Sequence, residues 1–115
     1  MHIGYKIWLE MGGQMVFGLG LYNLLLLVDQ TGSIHKAAET LHMSYRAAWG
    51  KIRTCEDRIG TDLVEKGRHG RSGNHLTDAG KKIITRYDTL LKQVEALVDE
   101  APITELVAEI KQDIV

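Results

Sequence analysis

Residues 33–59, SIHKAAETLHMSYRAAWGKIRTCEDRI, contain two short helical patterns joined by a tight connection. Ser33 is a favourable N-cap for a helix over residues 34–41, and Ser44 is a favourable N-cap for a second helix over 45–59. Alanine pairs in both helices let them cross closely, because small side chains allow a short distance between backbones. This arrangement predicts a helix-turn-helix.

The second predicted helix divides its side chains between an inward stripe and a polar face. Spacings of three and four residues place five side chains on the inward stripe: Tyr45, Ala48, Ile52, Cys55 and Ile59. The opposite face has Arg46 in the first turn and Arg53 two turns later. Such a helix fits the major groove of DNA, where arginine can pair with guanine. We therefore expect Ser44, Tyr45 and Arg46 to contact DNA, and Arg53 to meet its phosphate backbone.

A glycine-rich basic segment follows the two helices. Residues 63–66 and 74–76 are predicted to be the strands of a hairpin, and residues 67–73, GRHGRSG, the loop between them. Glycine lets a backbone come close to phosphate groups, and basic side chains hold it there. The sequence therefore predicts a wing over 63–76, with three further candidates for DNA contact: Arg68, His69 and Arg71.

An N-terminal hairpin and a buried helix precede the helix-turn-helix. The alternating residues 5–9 and the residues 15–17 predict the two strands of a hairpin over 5–17, with a glycine-containing turn at 11–14. The following residues, 19–30, are apolar nearly all round, as expected of a helix buried in a core.

A long helix and an acidic tail follow the wing. The helix, 77–100, has apolar residues at alternating steps of three and four, the spacing of a coiled-coil seam. This seam is too short for a free coiled coil, so we expect the buried helix to support it in a homodimer. The candidate dimer contacts are Leu24, Leu27, Ile83, Tyr87, Leu90, Val94 and Leu97. The predicted fold is mainly α with small β-hairpins (α+β): a winged helix-turn-helix domain over 1–100 and an acidic tail over 101–115.

Charge is distributed unevenly along the chain. The 115 residues include 14 Lys or Arg and 15 Asp or Glu, for a net charge of −1. Residues 42–86 contain ten basic against five acidic side chains, whereas residues 87–115 contain two against seven. A basic middle indicates an electrostatic surface for nucleic acid, so double-stranded DNA is the expected partner.

Several short motifs follow one another along the chain: YKIWLE (5–10), GSI (32–34), SYRAAW (44–49), the glycine-rich 67–73 and LTDAG (76–80). This order resembles the DNA-binding domain of ModE-type, molybdate-responsive regulators and, more distantly, the N-terminal domain of LysR-type regulators. The resemblance covers about residues 3–100. It implies a homodimeric winged helix-turn-helix that represses or activates promoters, with Ser44, Tyr45, Arg46 and the wing at the DNA.

Two features depart from that resemblance. The family's wing is often nearly continuous glycine, whereas here His69, Arg71, Ser72 and Asn74 interrupt it, so the wing contacts are expected to differ. Full-length members of the family bind molybdate or tungstate in a separate C-terminal domain. The 115 residues leave no room for that domain. Oxyanion sensing is therefore not carried over, and we expect a stand-alone regulator without a cofactor.

Other classes of protein fit the sequence less well. A metal or redox sensor would use His35, His42, His69, His75 and Cys55, but no pair of them has the close spacing of a zinc site. An enzyme is not expected, because the sequence has neither a catalytic-triad pattern nor a GxxxxGK[ST] phosphate loop. A protein-interaction module whose basic surface binds an acidic partner stays open from composition alone.

One uncharged segment, residues 11–28, reaches the lower limit of a transmembrane length. Four glycines, Gln14 and Asn23 interrupt it, and its dense apolar part, 21–28, has the length of a core helix. Neither a basic start nor a cleavage pattern indicates a signal peptide. We therefore expect a cytoplasmic protein without membrane contact.

Overall fold

Helices and two small antiparallel hairpins form the described parts of the chain, residues 2–67 and 73–114 of a computed structural model. In chain order the elements are β1 (Trp8–Met11), β2 (Gln14–Gly18), α1 (Leu19–Thr31), α2 (Ile34–Thr40), α3 (Tyr45–Ile59), β3 (Val64–Lys66), β4 (Asn74–Leu76), α4 (Asp78–Asp99), a 3-10 helix (Pro102–Glu105) and α5 (Leu106–Asp113). The predicted class, mainly helical with small hairpins, is confirmed. The predicted order of helix-turn-helix, hairpin and long helix is present as well.

Local capping determines where the helices begin and end. Ser33, Ser44 and Thr77 each accept a hydrogen bond from the backbone N–H three residues later, at 3.1, 3.0 and 3.0 Å respectively. Gly32 and Gly60 end α1 and α3 in the left-handed conformation, with φ of 69° and 79°. A side chain would strain that backbone, which is why glycine suits both positions. The caps at Ser33 and Ser44 stand where the sequence predicts them.

The N-terminal hairpin differs from the prediction in the position of its first strand. β1 runs over residues 8–11, later than the predicted 5–9, and ends with Met11 opposite Gln14. The connection consists only of Gly12 and Gly13, with φ of 57° and 78°. A two-residue turn with positive φ at both positions matches the twist of the strands that it joins. The glycine pair therefore shortens the turn and extends both strands toward it.

The core lies between α1, the helix-turn-helix and the base of the second hairpin. Leu24, Leu25 and Val28 of α1 are fully buried. They pack in one cluster with side chains of α2, α3 and the second hairpin, among them Ile34, Ala37, Ala48, Ile52, Leu63 and Leu76. Full burial of a Leu or Ile side chain stabilises a fold by about 1.5–3 kcal/mol. Among the described residues, no helix is both long and apolar enough to cross a membrane.

Two predicted dimer contacts lie inside a single chain. Leu24 and Tyr87 are only 0% and 2% exposed. Tyr87 packs edge-on against Phe17, with ring centroids 5.1 Å apart, and its hydroxyl donates to the Ile7 carbonyl at 2.7 Å. The first half of α4 therefore packs against the N-terminal hairpin. A side chain enclosed by its own chain has no surface left for a partner, so Leu24 and Tyr87 are core residues.

The second half of α4 extends beyond the core. The molecule measures 72 × 31 × 21 Å, and its radius of gyration is 18.8 Å, against about 13 Å for a compact chain of this length. Leu97 is 71% exposed. Beyond it, the 3-10 helix and α5 present further apolar side chains to solvent: Ile103, Leu106, Val107 and Ile110. This end of the molecule has an apolar surface that its own core does not cover.

Candidate nucleic-acid interface

The first turn of α3 is presented to solvent by a tight connection from α2. His42 has a positive φ of 56°, and the N–H of Met43 donates back to an α2 carbonyl at 3.0 Å. Ser44, Tyr45 and Arg46 are all exposed. The Ser44 oxygen accepts the capping hydrogen bond, so its O–H is still able to donate. The structure therefore brings these three predicted contacts together at one exposed helix end.

Tyr45 does not lie on the inward stripe. Its side chain is 38% exposed, and its ring stacks on the ring of His35 with centroids 3.8 Å apart and planes 5° from parallel. The predicted inward position is wrong because the start of α3 faces the exposed surface of α2 instead of the core. Farther along the helix, Ala48, Ile52 and Cys55 are buried as predicted.

Trp49 lies half-buried on α3 with two cations over its ring. The guanidinium carbon of Arg53 is 5.0 Å from the ring centroid, and the Nζ of Lys66, at the end of β3, is 6.0 Å from it. Arg53 also approaches Glu56, at 4.0 Å from Nε to Oε1, and stays 64% exposed. Sequence reasoning missed Lys66 because a strand residue gives no sign of which helix it meets.

A buried carboxylate ties α3 to the wing. Glu56 is 5% exposed, and its Oε2 accepts hydrogen bonds from the N–H groups of Leu63 at 2.7 Å and Val64 at 3.3 Å. A buried acceptor with two partners has replaced its lost water contacts. Glu56 was also missed, although its spacing of four from the inward Ile52 was a usable signal.

The stem of the wing is bonded to the start of α2. β3 and β4 pair antiparallel, and the N–H of Gly67 donates to the carbonyl of Gly73 at 2.8 Å. The N–H of Asn74 donates to the Gly32 carbonyl at 2.9 Å, while its Oδ1 accepts from the N–H of Ile34 at 3.2 Å. Asn74 thus has a structural role at this junction. The predicted contacts Arg68, His69 and Arg71 lie outside the described residues.

Basic side chains of the middle segment are solvent-exposed wherever the structure describes them: Arg46, Lys51, Arg53, Arg58, Lys66, Lys81, Lys82 and Arg86. Within residues 2–67 and 73–114, the ion pairs are Arg53 with Glu56 and Lys92 with Asp88. The positive charge predicted from the sequence is therefore largely not neutralised by carboxylates of the described chain. Such a surface attracts polyanions.

Cys55 has the surroundings of a core residue. It is 2% exposed, and burial, with a smaller contribution from Glu56, raises the pKa of its thiol to about 11. Because the thiolate is the reactive form, a thiol that stays protonated is a poor redox sensor. In the ranges that the structure describes, no three His, Cys, Asp or Glu side chains are grouped as metal ligands.

A helix-turn-helix with an exposed second helix and an adjoining β-hairpin is the architecture of a winged helix-turn-helix domain. Residues 19–81 match the family of bacterial regulatory helix-turn-helix proteins of the lysR type. The chain belongs to this lysR family.

Relatives with curated descriptions include ModE proteins. The molybdenum transport protein ModE of Azotobacter vinelandii is 35% identical over 78 residues, which cover 66% of this chain and 29% of that protein. The transcriptional regulator ModE of Yersinia pestis is 33% identical over 96 residues, or 77% of this chain and 36% of that protein. The chain thus spans about a third of the length of these relatives. The resemblance to ModE-type regulators is confirmed.

Solved structures with a similar fold include two DNA complexes. The DNA-binding domain of BenM on benA site 1 DNA has a TM-score of 0.60 and 22% identity, covering 79% of this chain and 99% of that chain. The DNA-binding domain of CbnR with DNA has a TM-score of 0.57 and 22% identity, covering 70% and 88% respectively. At this identity the likeness shows the fold.

Proposed function

We propose that this chain is a sequence-specific DNA-binding transcriptional regulator that acts as a homodimer on an inverted-repeat operator. The observation that carries this proposal is the exposed first turn of α3, on a helix whose last turn is hydrogen-bonded through Glu56 to the stem of the wing. In the major groove, Arg46 would read a base edge, while Ser44 and Arg53 would meet phosphates. The names of the relatives and the DNA in the similar structures support the same reading.

The homodimer is proposed from the apolar surface that a single chain leaves uncovered. Leu27, Ile83, Leu90 and Val94 are only partly buried, and Leu97 is 71% exposed. Two copies that cover these side chains would present two copies of α3. For helix-turn-helix dimers, half-sites lie about 34–36 Å apart, one turn of DNA, or a multiple of that distance.

The residues that match the two ModE relatives cover 29% and 36% of those proteins. Binding to DNA is the step that the described residues can perform.

Selection of genomic fragments by the chain tests this function and identifies the operator. Binding of the selected duplex is then measured by fluorescence anisotropy over a range of salt concentrations. Each phosphate neutralised on B-DNA contributes about −0.9 to the slope of log K against log salt, so a steep slope is expected. A suitable control is Lys92→Ala, because Lys92 is paired with Asp88 at 2.9 Å on α4. Preference for an acidic protein over any duplex would favour the interaction-module alternative.

A further inference from the structure

Trp49 of α3 connects cations from two different elements of the interface. We infer that Trp49 is a positioning residue that holds Arg53 of α3 and Lys66 of β3 together as a pair of phosphate contacts. This inference rests on the DNA binding proposed above and names a residue that contributes to it without reading a base.

Both cations lie close enough to the indole ring to be attracted by it. Their distances from the centroid are 5.0 Å for Arg53 and 6.0 Å for Lys66. A cation within about 6 Å of a tryptophan face is stabilised by the negative potential of the ring. Long basic side chains otherwise lose considerable rotamer freedom when they bind a phosphate. The ring therefore restricts both side chains before DNA arrives.

The backbone that presents Lys66 is itself held in place. Glu56 accepts hydrogen bonds from the N–H groups of Leu63 and Val64, at the start of β3. Alternate residues of a strand share a face, so Lys66 lies on the same side as the buried Val64. Glu56 also lies 4.0 Å from Arg53. The buried Glu56 carboxylate thus positions the strand that carries Lys66. It also lies beside the guanidinium of Arg53.

The charge of the cluster indicates an anionic partner. Lys66 is exposed and has no carboxylate within 4.0 Å among the described residues, and Arg53 is 64% exposed. Two like charges near one ring repel each other, and a phosphate close to both would offset that repulsion. A DNA backbone that passes between α3 and the wing stem supplies such a phosphate. Trp49 is half-buried and both cations lie over its ring, so its face is a poor platform for stacking on a base.

The test is a set of double-mutant comparisons in the full chain, with a labelled mixed-sequence duplex as the probe. A cation–π contact at an exposed site is worth about two- to fivefold in an equilibrium constant, so Trp49→Leu should weaken binding roughly tenfold and reduce the salt slope. In a background with Arg53→Met and Lys66→Met, Trp49→Leu should cause no further loss. Trp49→Phe, which keeps a ring, should recover part of the affinity.

The matched control background is Lys51→Met. Lys51 belongs to α3 but its ammonium lies near Gly20 of α1, so Trp49→Leu should keep its full effect there. An equal loss in the Arg53/Lys66 background would overturn the inference, since Trp49 would then act on DNA or on the fold directly. An unchanged affinity for Trp49→Leu would also overturn it.

A second readout needs no DNA. Ring currents of Trp49 should shift the Hε protons of Lys66 and the Hδ protons of Arg53 upfield in the free chain, and Trp49→Leu should abolish both shifts. Absence of these shifts in the parent would overturn the inference even if the chain binds DNA. If the protons are shifted but the chain binds no DNA duplex, the proposed function is refuted, and with it the role of Arg53 and Lys66 as phosphate contacts.

Discussion

Replacement of Glu56 by alanine should destabilise the fold at the junction between α3 and the wing. Glu56→Ala removes the acceptor of two backbone N–H groups, those of Leu63 at 2.7 Å and Val64 at 3.3 Å. A buried donor left without a partner costs about 1–3 kcal/mol. Since the Val64 contact is long and therefore weak, we expect the free energy of unfolding to fall by about 2–4 kcal/mol in total.

Two control variants separate this effect from a general loss of charge. Glu56→Gln keeps an oxygen that can accept both hydrogen bonds, so it should cost only about 1 kcal/mol, the difference between a charge-assisted and a neutral acceptor. Glu65→Ala removes an exposed carboxylate from the same strand, and should change stability by less than about 0.5 kcal/mol.

Urea unfolding followed by far-UV circular dichroism measures all three variants. Protein concentration must be kept constant, because association would add to the apparent stability. The reasoning would be refuted if the urea midpoint of Glu56→Ala differed from that of the parent by no more than the midpoint of Glu65→Ala does. The two N–H groups would then have other partners, and the wing would not depend on Glu56.

Three other substitutions test the interface, the dimer and the core. Arg46→Ala should weaken specific operator binding by about 1–3 kcal/mol if Arg46 reads a base; equal binding by mutant and parent at matched salt would remove it from the interface. Leu97→Asp places a charge on a side chain that is 71% exposed in one chain. The substitution should therefore dissociate the dimer without unfolding the protomer, which sedimentation would detect. A folded monomer for the parent chain as well would contradict the homodimer. Burial raises the pKa of the Cys55 thiol from 9.0 to about 11, so the folded state binds a proton that the unfolded state releases, and stability should decline as pH rises from 9 toward 11. Cys55→Ala should lose that part of the pH dependence, which thermal melts would detect; the same decline in the variant would assign it to other groups.

The parts of the fold that could be predicted from the sequence depend on interactions between residues close together in the chain. Caps at Ser33, Ser44 and Thr77 and the left-handed ends at Gly32 and Gly60 depend only on a residue and its near neighbours in the chain. Helix periodicity likewise separates buried from exposed positions wherever the helix faces a core. The order of helices and hairpins, the exposed Arg46 and the basic middle segment all follow from such patterns.

Contacts between elements were decided by the tertiary structure. Tyr45 has the spacing of an inward residue, yet it stacks on His35 because the start of α3 faces the exposed side of α2. Tyr87 has the spacing of a seam, yet the N-terminal hairpin covers it. Periodicity states which residues share a face of one element but not what that face meets. That depends on how separate elements pack, through contacts such as Glu56 with β3 and Lys66 with Trp49.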